Sequence, residues 1–273
     1  MPKITLRSGD VLAETLLITL YARAMEAQMP APLLRDETAV RLVEQINAKW
    51  ARYRLQAHDQ VGLILRMSQF DRLTQVFLAR HPQAVAVHIG CGLDTRFERV
   101  DNGQVEWFDL DLPEVIALRR QLLPERPRCH MLGCSVFDPT WLDLAGTHAG
   151  RPFLFLAEGV LPYFSEEQVR GLVLMLKQRF GGAELACDAM TPLMVRMHNL
   201  ELLFLRIGAR LRWGLAHGRD VESWGPGIQL LSEWFYFDRP EPRLGASRWM
   251  RYVPPFARGV GVFHYRLGMG VTG

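Results

Sequence analysis

Over the first eighty residues apolar side chains recur at helical spacing in three stretches, 11–28, 36–48 and 59–80, each predicting an amphipathic helix. Such helices bury one face, so they are expected to cap something that follows. From residue 84 the period changes. Short apolar runs near 84–90, 105–111, 128–134, 151–158 and 183–189 alternate with helical segments, the pattern of a mostly parallel sheet covered on both faces. Pro113 suits the first turn of a helix beginning after Leu112, and Ser165-Glu166-Glu167-Gln168 is a capping box for a helix running to Phe180. Residues 191–214 return to an apolar helical pattern, expected as a lid, with Met190, Met194 and Met197 on or near it. Ordinary helix packing is the favoured role of these methionines, and lining a binding site is the other. Runs at 228–237 and 260–267 predict two last strands, seven in all, joined by a proline-rich connection, 239–255, with little beyond a short helix. The expected organisation is one domain over 1–273: a helical cap (1–80), a core (81–190), a helical lid (191–227) and C-terminal strands (228–273).

Composition then narrows the partners. A chain of 273 residues is long enough for one large α/β core. Its net charge of +3 is small and its cations are interspersed with acids, which argues against nucleic acid and membrane surfaces and for a small-molecule partner. Lysine occurs only at Lys3, Lys49 and Lys177, which excludes mechanisms needing a well-placed lysine. Cys91, Cys129, Cys134 and Cys187 form no C-x-x-C pair and sit in or beside apolar runs, as expected of buried, reduced thiols in a cytoplasmic protein. Segment 11–24 is interrupted by Glu14 and Arg23 and reads as a packed helix rather than a signal, and no run reaches the roughly 18 apolar residues of a membrane span. Oligomeric state has no signature here.

The densest chemistry lies at 85–114, which reads as strand, glycine turn, helix, strand and acidic tip. Gly90 and Gly92 let the backbone turn sharply beneath a ligand, and a carboxylate ending the next strand can accept hydrogen bonds from ribose hydroxyls. Asp111 has the expected separation for that acid, and Asp109 is the competing choice by face alternation. A dinucleotide fold would want a third glycine where Thr95 stands, and a short-chain dehydrogenase would want a tyrosine four residues before a lysine, where Gln45 and Val173 stand. S-adenosylmethionine asks for less: a glycine turn, an acid for the ribose, and polar groups for the adenine edge.

Across most of its length the chain resembles the leucine carboxyl methyltransferase family, particularly its bacterial branch of polyketide-type O-methyltransferases. The carriers are Glu14-Thr15, Tyr21-Ala-Arg23, Arg66 with Phe70-Asp71, Gly90-Cys-Gly-Leu-Asp-Thr-Arg96, Asp109-Leu-Asp-Leu-Pro-Glu114, Arg119-Arg120 and Ala157-Glu-Gly-Val-Leu-Pro-Tyr163, in that order. The resemblance implies a Rossmann-like class I methyltransferase fold that binds S-adenosylmethionine and needs no metal. Arg66 would hold the cofactor's carboxylate, Gly90 would underlie its methionine part, Asp111 would take the ribose, and Glu158 would receive the ammonium or neighbouring polar atoms, with Gly92 and Leu112 among the further cofactor contacts. Adenine contacts would fall at Ser135 and Val136; relatives often carry an acid where Ser135 stands, and Asp138 is equally a helix cap.

Methyl transfer from a sulfonium is an in-line displacement, so the protein chiefly holds donor and acceptor at near-attack geometry. A carboxylate acceptor is ionised at neutral pH, whereas a phenol needs a base or an acceptor of its proton, and no decisive base stands out. Tyr163 is the candidate at the reaction centre, its hydroxyl either reaching the acceptor or anchoring the loop. Asp188, His198 and His264 read at least as well as structural groups. Arg196, Arg206, Arg210 and Arg212 make the lid cationic, which suits an acidic acceptor. The expected activity is O-methylation of a small molecule, carboxylate ahead of hydroxyl. A non-catalytic cofactor-binding sensor or assembly protein is the second class, and a nicotinamide-dependent reductase is disfavoured.

Overall fold

The computed structural model describes residues 3–5, 11–148, 150–204 and 208–268. Three helices come first, α1 (Val11–Ala27), α2 (Glu37–Gln45) and α3 (Ala57–Arg80). The core then alternates β1 (Val85–Ile89), α4 (Arg96–Val100), β2 (Glu106–Asp111), α5 (Pro113–Leu122), β3 (Cys129–Gly133), α6 (Thr140–Gly146), β4 (Phe153–Ala157), α7 (Glu166–Arg179) and β5 (Ala183–Met190). Helix α8 (Pro192–Phe204), strand β6 (Ile228–Phe235), the short helix α9 (Pro254–Ala257) and strand β7 (Val260–Leu267) complete it.

The seven strands form one sheet in the order β3-β2-β1-β4-β5-β7-β6, parallel throughout except for β7, which runs antiparallel to both neighbours. This is the mostly parallel sheet that the alternating pattern predicts, in the Rossmann-like arrangement that the family resemblance implies. Strands β1 and β4 are buried along their whole length, as continuous apolar runs require at the centre of a doubly covered sheet. Phe70, Phe77 and Leu78 of α3 with Phe97 and Val100 of α4 pack on one face, against Ala86, Trp107 and Leu154. Trp141 and Leu142 of α6 with Val169, Leu172 and Leu176 of α7 cover the other, against Val87, Phe108 and Phe155. The N-terminal cap has its own cluster, in which Leu16, Leu17 and Leu20 of α1 meet Ala39 and Leu42 of α2 and Val115 and Ile116 of α5.

Register sets the level at which the strands end. Ile89 pairs with Leu110 on one side and Ala157 on the other, and Ala157 pairs with Cys187. The next residues, Gly90, Asp111, Glu158 and Asp188, therefore stand level in one row at the carboxyl edge of the parallel strands, Asp111 and Asp188 still paired with Gly133 and Val262. The sheet order reverses between β1 and β4, so this row straddles the crevice where open α/β sheets hold ligands.

Two predicted elements change. The helix expected over 36–48 stops at Gln45, and Ile46–Asn47 instead pairs parallel with Ile4–Thr5. The helix expected over 191–214 ends with α8, and residues 208–217 run without regular structure. Tertiary bonds replace the helical ones there: Arg212 and Trp213 donate to the Pro162 carbonyl, Leu215 donates to Met190, and the Asn199 amide bonds both backbone groups of Leu211. Gly214 passes so close to the end of β5 that an added Cβ would lie 2.9 Å from the Met190 carbonyl oxygen. No helix among the described residues is long and apolar enough to cross a membrane.

Candidate active site

The row at the sheet's carboxyl edge opens into a cavity of about 890 Å3, lined by the turn 90–94, Asp111 and Leu112, residues 134–137, Glu158, Tyr163 and Asp188, with Arg66 from α3. This lies toward the upper end of the roughly 300–1,000 Å3 of ligand pockets. Every residue expected to touch the cofactor lines it. Sequence separation gives no hint that Arg66 meets Glu158 and Asp188; helix α3 delivers it across the strand ends.

The glycine turn is forced by backbone geometry. Gly90 and Gly92 have φ of 67° and 51°, in the left-handed region, and a Cβ on Gly90 would stand 2.9 Å from that of Val160. The Asp111 carboxylate closes the turn, accepting from the backbone N–H groups of Gly92 and Leu112, both at 2.7 Å. Burial pushes the Asp111 carboxyl above its ordinary range despite those two donors. Its competitor Asp109 is spent inside the protein, accepting from Arg119 and from Trp107 Nε1 (2.9 Å). Burial opposes ionisation of Asp109, but Arg119 and His88 outweigh it and hold the carboxyl below its usual range. Arg119 also donates to the carbonyls of Gly92 and Asp94, bracing the turn from beneath. Thr95, where a dinucleotide fold would carry glycine, donates its hydroxyl to Asp36.

At the other end, Arg66 Nε donates to Glu158 and Nη1 to Asp188, each at 2.9 Å. Burial alone would lower the arginine's pKa; Tyr236, Asp188 and Glu158 reverse that and raise it, so the guanidinium stays charged. Asp188 also accepts from the Gly159 N–H at 2.6 Å, and burial pushes its carboxyl up. Glu158 is gripped a second time, by Arg96. Ser135 is exposed and accepts from the Phe137 N–H, while Val136 is buried and its carbonyl receives Trp141 Nε1. Asp138 accepts from the backbone and hydroxyl of Thr140 at the start of α6, where Pro139 takes the N-cap position, and it does not line the cavity.

Other expectations change. Met190, Met194 and Met197 line the cavity, so packing within the lid is not their whole role. Arg196, Arg210 and Arg212 are exposed and none lines it, while the Arg206 expectation lies outside the described residues. His198 lines the cavity, whereas His264 sits 2.8 Å from Glu184 in the outer part of the sheet. Of the thiols, Cys91 and Cys187 are buried, but Cys129 and Cys134 are only partly so. Burial raises the Cys91 pKa well above the ordinary thiol value, which keeps it un-ionised beside the glycine turn.

Sequence reasoning missed Tyr236, immediately after β6. It lines the cavity, its ring lies 3.3 Å from where a Cβ on Gly62 would be, and burial pushes its phenol up to about 12. The one available signal was Gly62, a glycine one helical turn before Arg66 inside an otherwise good helix. Tyr163, the expected candidate, stands 37% exposed on the cavity wall, with its phenol also pushed up by burial.

The donor set fits S-adenosylmethionine: a turn of left-handed glycines with no room for side chains of their own, an acid beside it, and an arginine among carboxylates at the far end. Comparison with known proteins agrees. The family model for leucine carboxyl methyltransferase matches residues 16–176. The chain is 37% identical to the tetracenomycin polyketide synthesis O-methyltransferase TcmP of Streptomyces glaucescens, over 88% of this chain and 91% of that one. It is 30% identical to the S-adenosyl-L-methionine-dependent methyltransferase dpfgK of Gibberella zeae, over 91% and 89%. A crystal structure from Thermobifida fusca YX shares the fold at a TM-score of 0.58 and 17% identity, covering 91% of this chain and 94% of that one. Built on a Rossmann-like sheet and similar over most of its length to S-adenosylmethionine-dependent methyltransferases, this chain belongs to the leucine carboxyl methyltransferase family.

Proposed function

We propose that this protein transfers a methyl group from S-adenosylmethionine to an oxygen of a small-molecule acceptor, a carboxylate ahead of a hydroxyl, and that it belongs with the polyketide-type branch of its family. The observation that carries the reading is the row formed by Gly90, Asp111, Glu158 and Asp188 along one cavity that also has an apolar, methionine-bearing wall. Similarity to TcmP supports the choice of oxygen and of a polyketide-type acceptor.

S-adenosylmethionine supplies a methyl group already activated on a sulfonium, so the protein's own part is to bind, orient and exclude water. Asp111 accepts the ribose hydroxyls through lone pairs not taken by Gly92 and Leu112. Gly90 and Gly92 let the chain pass under the methionine portion, Leu112, Ser135 and Val136 flank the adenine, and Glu158 receives the ammonium. Arg66 offers its guanidinium to the cofactor's carboxylate, with Glu158 and Asp188 holding it in place. Tyr163, kept protonated by its raised pKa, donates a hydrogen bond that orients the acceptor oxygen. With the described lid arginines facing outward, selection of the acceptor falls to the shape of the apolar wall and not to a cationic funnel.

The test pairs calorimetry with S-adenosylhomocysteine and a transfer assay, using methyl-labelled S-adenosylmethionine against a panel of aryl and alkyl carboxylic acids and phenols. Saturable binding and label in ester or ether products are expected. Binding without transfer to any member would point to a sensor, and absence of binding would remove the reading altogether.

A further inference from the structure

Two motifs of the family resemblance, Phe70-Asp71 and Thr95-Arg96, line no part of the cavity, yet they meet directly beneath it. Arg96 is fully buried. Its Nε donates to Asp71 Oδ1 at 2.7 Å, its Nη2 bonds Glu158 and lies 3.2 Å from Asp94, and its Cζ sits over the Phe70 ring, 5.3 Å from the centroid. The second oxygen of Asp71 is taken by Arg99 Nε at 2.7 Å, and Arg99 in turn bonds Asp94 at 2.9 Å. Arg96 therefore cannot swing away from Glu158 without breaking a bond to Asp71 and leaving the face of the Phe70 ring.

On its other side Glu158 is tied to Arg66, so its carboxylate is held from two directions while still lining the cavity. The charges of this chain of ion pairs do not balance. Arg66, Arg96 and Arg99 face Glu158, Asp188, Asp71 and Asp94, and the further Arg23–Asp36 pair is neutral as a unit. Four carboxyl groups thus face three guanidinium groups, with His88 Nε2 3.3 Å from Arg96 Nη1 and the Asp188 carboxyl pushed up by burial, so a cation arriving beside Glu158 and Asp188 meets an excess of buried acid.

We propose that Arg96, locked by Asp71, is a positioning residue for the methyl donor: it fixes Glu158 in the orientation that receives the donor's ammonium, and that ammonium completes the charge of the buried network. The proposal rests on the assignment of Glu158 above. It makes the amino-acid end of the donor, and not its adenosine end, the part that depends on Arg96.

Calorimetry with S-adenosylhomocysteine and with 5′-methylthioadenosine, which has the adenosine and sulfur but neither ammonium nor carboxylate, reads this directly. Arg96→Lys keeps the charge but cannot span Asp71 and Glu158 as a planar fork does. Asp71→Asn leaves Arg96 in place and removes its charged anchor. In both variants affinity for S-adenosylhomocysteine should fall by roughly ten- to a hundredfold, as for loss of a charged hydrogen bond, with that for 5′-methylthioadenosine held within about threefold. Parallel losses for the two ligands, no loss for either, or failure of both variants to fold would assign the network a purely structural role and overturn the proposal. If the unmodified protein does not bind S-adenosylhomocysteine, the cofactor assignment itself fails, a result separable from an unchanged ligand ratio in the variants.

Discussion

Two neighbouring acids show how a single position acquires its role. Asp109 and Asp111 share a strand and a face, but one is consumed by Arg119 and Trp107 while the other stands at the cavity with only backbone donors. Asp111→Ala should leave thermal unfolding nearly unchanged and weaken S-adenosylhomocysteine binding at least tenfold by calorimetry, the scale of a lost charged contact. Because burial raises the Asp111 pKa, binding should weaken on acidification before the ordinary aspartate range near about pH 4 is reached, and in Asp111→Ala this pH dependence should disappear. Gly90→Ala combines a left-handed backbone with overlap on Val160. A loss of at least about 1–2 kcal/mol from the backbone alone is expected in urea denaturation, together with loss of cofactor binding; a variant as stable as the parent would show that the turn has another conformation available.

Among the elements, those with strong local signals match their predictions. Helix α7 begins at the capping box in which Ser165 accepts from the Gln168 N–H and Gln168 accepts from the Ser165 N–H. Ser165→Ala should therefore cost about 1 kcal/mol and lower the melting temperature by a few degrees, measured by circular dichroism. The lid shows the opposite case. Its apolar spacing predicts helix through residue 214, yet the backbone of 211–215 bonds Asn199, Pro162 and Met190 instead. Local periodicity cannot register such partners, because they lie in other parts of the chain. The same holds for Ile46–Asn47, which continues a helical pattern but finds a strand partner near the N-terminus.

At the scale of the whole molecule, buried ion pairs tie the cap to the core and give acid denaturation a definite sign. Burial opposes ionisation of Asp94, but Arg99, Arg96 and Arg23 outweigh it and hold the carboxyl well below its usual range. Burial likewise opposes ionisation of Glu184, where His264 and Arg80 prevail and bring it to about 2. Carboxyls depressed on folding contribute stability that is fully present above the unfolded value near about pH 4 and is lost as pH falls through the folded values. The urea midpoint should accordingly fall steeply between about pH 4 and pH 2, and Asp94→Asn should flatten part of that slope; a midpoint constant over this range would contradict the pairing. The order of strands and helices, the glycine turn and the acid at the end of β2 are all legible in the chain itself, since period, turn chemistry and capping act over a few residues. Tertiary structure alone decided that Arg66 meets Glu158 and Asp188, that Tyr236 joins the cavity over Gly62, that the methionines line the cavity while the described lid arginines do not, and that Arg96 lies under the site. These depend on strand register and helix docking, which bring together residues up to 170 positions apart, from Arg66 to Tyr236, and no local pattern encodes such a distance.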